Sequence, residues 1–250
     1  MDHSEGGRSF SEKLIRLPHS YQINDRSRPL PVSEYSRAYY NLPETGFVFC
    51  ALNTWYKITP DIFTVWMKLL TQVKSSVLWL YEPSAMARAN LVNEASKRGV
   101  DPERLIFAPF ATQVEHLLRY KHADLFLDTS PVCGHTTASD ALWCTVPVVT
   151  IARNSFASRV AAGLLQSVGL PELAVGTLKE YETLALDLAM NPARLKALKT
   201  HLEKGRMSFP LFDCDATTRA LEAAYVYAAA LHRNKVPPCA FALDDKLQVR

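Results

Sequence analysis

Apolar positions along this chain follow two rhythms, and the point where one gives way to the other divides the sequence. From Gly46 onward, short continuous apolar runs alternate with longer stretches of helical spacing. Phe47 to Leu52 is the first run, and unbroken apolar character predicts a strand covered on both faces. Pro60 then opens a stretch in which Ile62, Val65, Trp66, Leu69, Leu70 and Val73 share one helix face. The same pairing repeats four times. Strands are predicted over 77–81, 105–108, 125–127 and 146–150, and helices over 85–98, 112–120, from Thr136, and over 157–169. From Leu178 the alternation stops, and helices follow over 178–190, 192–206 and from a cap at Asp215 to about His232.

Strands alternating with helices at this spacing predict an α/β fold. It is a Rossmann-like parallel sheet flanked by helices, occupying 44–233 and ending in a helical segment. The flanks read differently. Residues 1–8 are expected to be disordered, 9–17 to form a short helix, and the Pro-, Arg- and Ser-rich stretch to Pro43 to be an extended connector. The tail 234–250 has no periodicity and is expected to be loose. Parallel sheets bind ligands at the carboxyl ends of their strands, near the reversal of strand order. The loops after Leu52, Tyr81, Ala108, Asp128 and Thr150 therefore matter most.

Composition narrows the classes. With 48% hydrophobic and 21% charged residues the chain is an ordinary globular sequence, and a net charge of +3 carries no nucleic-acid footprint. No apolar run is long enough to span a bilayer. Five cysteines without a C-x-x-C pair point to a reducing, cytoplasmic setting and no structural zinc.

The loop after the fourth predicted strand carries the densest candidate chemistry: Asp128-Thr129-Ser130-Pro131-Val132-Cys133-Gly134-His135-Thr136-Thr137. Gly134 permits close approach, His135, Thr136 and Thr137 supply donors, and a helix N-terminus there suits a phosphate. A plain helix cap explains the same residues equally well. Lys57, just after the first strand, should face the same edge and could offset a leaving diphosphate, although loop lysines are common. His116 and Arg119 share a face of the helix after the third strand, where backbone near Ala111 could read a base edge. A half-buried structural histidine is the alternative for His116. Neither G-x-G-x-x-G nor G-x-x-x-x-G-K-[ST] occurs, which disfavours a dinucleotide dehydrogenase or P-loop NTPase. No D-x-D pair lies near a strand end to hold a metal on a diphosphate. Cys133 has no base placed beside it, which argues against a nucleophile.

An ordered set of motifs resembles the O-linked N-acetylglucosamine transferase family, including its SPINDLY-like branch. The set comprises Asn53-x-x-Tyr56-Lys57-Ile58, Ser76-Val77-Leu78-Trp79-Leu80, Glu115-His116, Leu127-Asp128-Thr129, Gly134-His135-Thr136-Thr137, Asp140-x-Leu142-Trp143, Ala157-Ser158-Arg159-Val160-Ala161 and Pro210-Leu211-Phe212. The resemblance implies the C-terminal donor-binding lobe of a two-lobed GT-B enzyme that transfers a sugar to Ser or Thr hydroxyls of proteins, without a metal or other cofactor. It gives Lys57 the role of diphosphate contact and leaving-group support. It places His135, Thr136 and Thr137 on the phosphates, His116 and backbone at Ala111 on the base, Asp140 near the ribose, and Arg119 on the same helix as His116. Thr54 and Gln113 stand where the animal enzymes carry glutamine and lysine. The expected donor is UDP-GlcNAc, with GDP-fucose as the alternative. The family's other lobe and tetratricopeptide repeats are expected to be missing, apart from a remnant within 9–43, leaving either a half-enzyme or a sugar-nucleotide-binding fragment.

Overall fold

A computed structural model describes residues 10–28 and 35–250. The chain divides into two units, Met1–Arg26 with Met207–Arg250, and Ser27–Arg206. The disorder expected of 1–8 lies outside the described residues, as does part of the connector.

In chain order the elements are β1 (Ile15–Arg16), β2 (Phe47–Ala51), α1 (Pro60–Gln72), β3 (Ser76–Tyr81), α2 (Ala85–Lys97), β4 (Leu105–Ala108), α3 (Gln113–Arg119), β5 (Leu125–Leu127) and α4 (Thr136–Trp143). They continue as β6 (Val148–Ile151), α5 (Val160–Ser167), β7 (Ala174–Val175), α6 (Leu178–Met190), α7 (Pro192–Gly205), α8 (Cys214–Arg233) and β8 (Phe241–Ala242).

The larger unit holds a parallel sheet in the order β4-β3-β2-β5-β6-β7. Its central strand explains the unbroken apolar run: Val48, Phe49 and Cys50 are fully buried, and Trp66 of α1 and Trp79 of β3 are buried with them. Chain order proceeds outward from β2 to β3 and β4, then returns to the other side of β2 with β5, registered through Phe49 on Leu125 and Cys50 on Phe126. The switch point therefore lies between β2 and β5. Within this unit the helices form where expected, with capping boxes at Thr112–Glu115 and Thr177–Glu180 fixing the starts of α3 and α6.

Five expectations need correction. The strand expected at 146–150 runs from Val148 to Ile151, because Val146 and Pro147 still belong to the connection between the turn at Cys144–Thr145 and the strand. The 9–17 segment contains β1 rather than a helix, paired in parallel with β8 in the tail expected to be loose. Phe241 and Leu243 are buried there against Ala224 of α8, with Tyr227 edge-on to Phe241 at 4.8 Å. The final helix is capped by Asp213, whose side chain accepts from Ala216 N at 2.9 Å; Asp215 instead pairs with Arg26 at 2.6 Å. The described end of the connector is packed, not extended. Ala38–Tyr40 forms a short 3-10 turn, and Arg37 donates to Gly46 O and to Asp124 at 2.9 and 3.0 Å. The strand β7 was not expected at all: two half-buried residues at the sheet edge carry no readable period.

Candidate functional site

The two chain segments that leave β2 and β5 at the switch point meet. After β2, Thr54 precedes a 3-10 turn, Trp55–Lys57. After β5, the chain runs through Asp128 to Gly134 and into α4. Lys57 Nζ donates to Cys133 O at 3.1 Å, so the lysine does face the Gly134 turn.

Beneath that turn lies a buried polar network. The Asp128 carboxylate, 1% exposed, accepts from Gly134 N at 2.6 Å, Thr129 N at 2.8 Å, Asn53 Nδ2 at 3.0 Å and Thr150 Oγ1 at 2.7 Å. Asn53 donates in addition to Thr129 Oγ1 at 2.9 Å and accepts from the Thr137 hydroxyl. Gly134 is needed for want of space: a Cβ there would sit 3.0 Å from Asn53 Oδ1 and Thr137 Oγ1 and 3.1 Å from Asp128 Oδ1. Burial pushes the Asp128 pKa up to about 6, against the four bonds that favour the carboxylate. Sequence reasoning gave Asn53 and Asp128 no role. The available signal was a polar residue directly after each of two fully apolar strands.

The plain-cap alternative for the turn does not describe it. His135 is the residue preceding α4 and makes no side-chain cap bond, the Thr137 hydroxyl is spent on Asn53, and Thr136 is exposed in the first turn. The first turn of α4 thus keeps outward-facing donors beside Lys57. His135 stacks edge-on against Phe156 at 6.2 Å, and burial and then Lys57 hold its pKa below the usual imidazole range, despite an opposing bond with the Ala157 backbone. Cys133 is no nucleophile: burial raises its thiol to about 11, and Sγ donates to Ala157 O.

A second group gathers around α3. Arg119, buried, donates to Pro109 O at 2.9 Å and to Nδ1 of His116, so the two residues do share a face. His116 Nε2 lies 3.8 Å from Asp140 Oδ2 of α4, which links the two helices. Burial, with Arg119 adding to it, drives the His116 pKa down to about 3, leaving a neutral ring. Asp140 is raised to about 6 by burial, opposed by Arg28, whose Nη1 lies 2.6 Å from Oδ1. Arg28 was also missed by sequence reasoning. Ala111 is half-buried and Gln113 exposed at the start of α3. Ala111 borders a cavity of about 240 Å³ walled by Tyr39, Tyr40, Trp79, Pro109 and Arg119. Among the described residues, no three His, Cys, Asp or Glu side chains group so as to hold a metal ion.

An open parallel sheet flanked by helices, with its switch point between β2 and β5, is the fold of a GT-B glycosyltransferase lobe. The chain belongs to glycosyl transferase family 41, whose model matches residues 27–221. It is 38% identical over 247 residues to the Arabidopsis thaliana protein named probable UDP-N-acetylglucosamine–peptide N-acetylglucosaminyltransferase SEC, covering 96% of this chain and 25% of that one. It is 33% identical over 219 residues to the Oryza sativa protein of the same probable activity named SPINDLY, covering 86% and 23%. Among solved structures, a mutant of the Thermobaculum terrenum O-GlcNAc transferase superposes with a TM-score of 0.70 at 31% identity, covering 79% of this chain and 38% of that one. The chain spans about a quarter of the length of these two curated relatives. Both are named for UDP-N-acetylglucosamine. None of the described helices is long and apolar enough to cross a membrane.

Proposed function

We propose that this chain is the donor-binding lobe of a protein O-glycosyltransferase that moves N-acetylglucosamine from UDP-GlcNAc to Ser or Thr hydroxyls. The observation that carries this reading is the meeting of Lys57 with the Gly134 turn across the switch point. In the reaction the bond between the sugar C1 and the β-phosphate oxygen breaks, the acceptor oxygen bonds to C1, and UDP and the acceptor's proton are released together. Charge grows on the diphosphate as that bond breaks. Lys57, the backbone N–H groups of His135, Thr136 and Thr137 and the Thr136 hydroxyl stabilise it, already oriented. This lysine supplies the positive charge, so we assign no metal or other cofactor to the step.

The neutral His116 ring, backbone at Ala111 and the Arg119 side chain form the base end of the site, and Asp140 accepts from ribose hydroxyls. Thr54 and Gln113 flank the diphosphate and nucleoside ends. The acceptor is a protein Ser or Thr, presented by a second lobe. Cytoplasmic residence fits five cysteines that are all free thiols. Titrating the chain with UDP while following its melting temperature tests the reading: an upward shift supports it, and no shift with any nucleotide refutes it.

A further inference from the structure

We propose that Arg28 is a positioning residue for the donor site, holding the Asp140 carboxylate in place to accept a hydroxyl-bearing ligand; this rests on the donor-site reading above. Arg28 precedes the sheet, far in sequence from α4, yet its side chain is only 7% exposed and its Nη1 lies 2.6 Å from Asp140 Oδ1. The guanidinium also lies 5.0 Å from the centre of the Trp143 ring, one helical turn beyond Asp140, so it is held on two sides. The Asp140 side chain is itself 9% exposed, and its second oxygen faces His116 Nε2 at 3.8 Å. Arg28, Asp140 and His116 thus form a line from the segment before the sheet to the base end of the site.

The chemistry follows from that line. A carboxylate has about four acceptor positions, so Arg28 and His116 leave room for ligand hydroxyls while fixing the plane of the group. An arginine presents a rigid fork and stays charged, which suits it to orient a buried carboxylate. Removing it leaves a buried charge without its counter-ion, and such a group protonates instead. A protonated Asp140 loses acceptor strength toward a ribose. The groups facing Asp140 are Arg28, His116, Tyr120 and Cys144, with Arg206 over the far side of Trp143 at 5.5 Å. Burial keeps His116, Tyr120 and Cys144 neutral between pH 5.5 and 8, with pKa values of about 3 for His116 and far above that range for the other two. Asp128 also titrates near 6, but it does so in every variant and cancels in their ratio.

The test is calorimetric UDP binding by the full chain between pH 5.5 and 8, comparing wild type with Arg28→Met, Arg28→Lys, Asp140→Asn and the Arg28→Met, Asp140→Asn double variant. Arg28→Met is expected to weaken UDP roughly tenfold at neutral pH, the scale of a lost charge-assisted bond, and to lose further affinity on acidification at a higher pH than wild type. Arg28→Lys should restore part of the affinity and return the pH profile toward wild type. In the Asp140→Asn background, Arg28→Met should have no further effect, which a purely structural role would not produce. Equal affinity and pH profile for wild type and Arg28→Met overturns the inference, as does tighter binding by Arg28→Met, which would make Arg28 a plug. Wild type silent to UDP at every pH overturns the donor-site reading and this inference with it.

Discussion

Lys57 Nζ donates to the carbonyl oxygen of Cys133 at 3.1 Å, joining the loop after the first strand of the sheet to the turn after the fourth. The bond leaves the ammonium with two further donors, a few residues from the start of α4. Lys57→Ala combined with His135→Ala is expected to abolish the rise in melting temperature that UDP gives the wild-type chain. The fold should survive, since neither side chain belongs to the apolar core. Far-UV circular dichroism of the variant checks the second point and differential scanning fluorimetry the first.

Gly134→Ala addresses the support beneath the turn. An added methyl meets three oxygen atoms of Asn53, Thr137 and Asp128 at 3.0–3.1 Å, and overpacking of this kind costs about 1–3 kcal/mol. Urea unfolding should show that loss, and UDP binding should weaken as the turn is displaced. A variant as stable as wild type would mean the network relaxes freely.

Asp128 gives a pH dependence with a definite sign. Its pKa is raised to about 6 in the fold, against about 3.9 in an unfolded chain, so the native state holds the proton more tightly. Its contribution to stability is therefore fullest below pH 4 and is lost as pH rises from about 4 to 6. Asp128→Asn should remove this component, so that the stability difference between wild type and variant changes across that window and is flat above pH 7. Urea denaturation at a series of pH values measures it. His116 acts oppositely: its pKa of about 3 makes acidification below about 6.5 destabilising, through protonation of the unfolded chain.

Tyr181 ties the helices to the site floor. Its hydroxyl donates to Asp128 O at 3.0 Å and accepts from Trp66 Nε1 at 3.2 Å, all three residues being buried. Tyr181→Phe keeps the packing but strands one donor and one acceptor, at a cost of about 1–3 kcal/mol in urea unfolding. A neutral result would show that water enters to satisfy both groups.

Much of the sheet could be read from the chain because the central residues of β2, β3 and β5 are buried on both faces and are apolar. Once those strands are parallel, Lys57 and Gly134 follow to one edge by topology alone. The parts that escaped reading are of two kinds. The two-residue strands β1, β7 and β8 owe their existence to a neighbouring backbone, not to any local pattern. The polar network of Asn53, Asp128, Thr150 and Tyr181, and the Arg28–Asp140 pair, join residues remote in sequence, where each member alone looks like an ordinary polar residue.

Isothermal titration of the chain with UDP and with GDP, repeated on Lys57→Ala, tests most directly whether a uridine diphosphate lies between Lys57 and the Gly134 turn. The expected result is one saturable UDP site, weaker binding of GDP, and a loss of UDP affinity of roughly tenfold or more in Lys57→Ala, the scale of a hydrogen bond to a charged group. No saturable heat with UDP, tighter binding of GDP, or UDP binding unchanged in Lys57→Ala would contradict it.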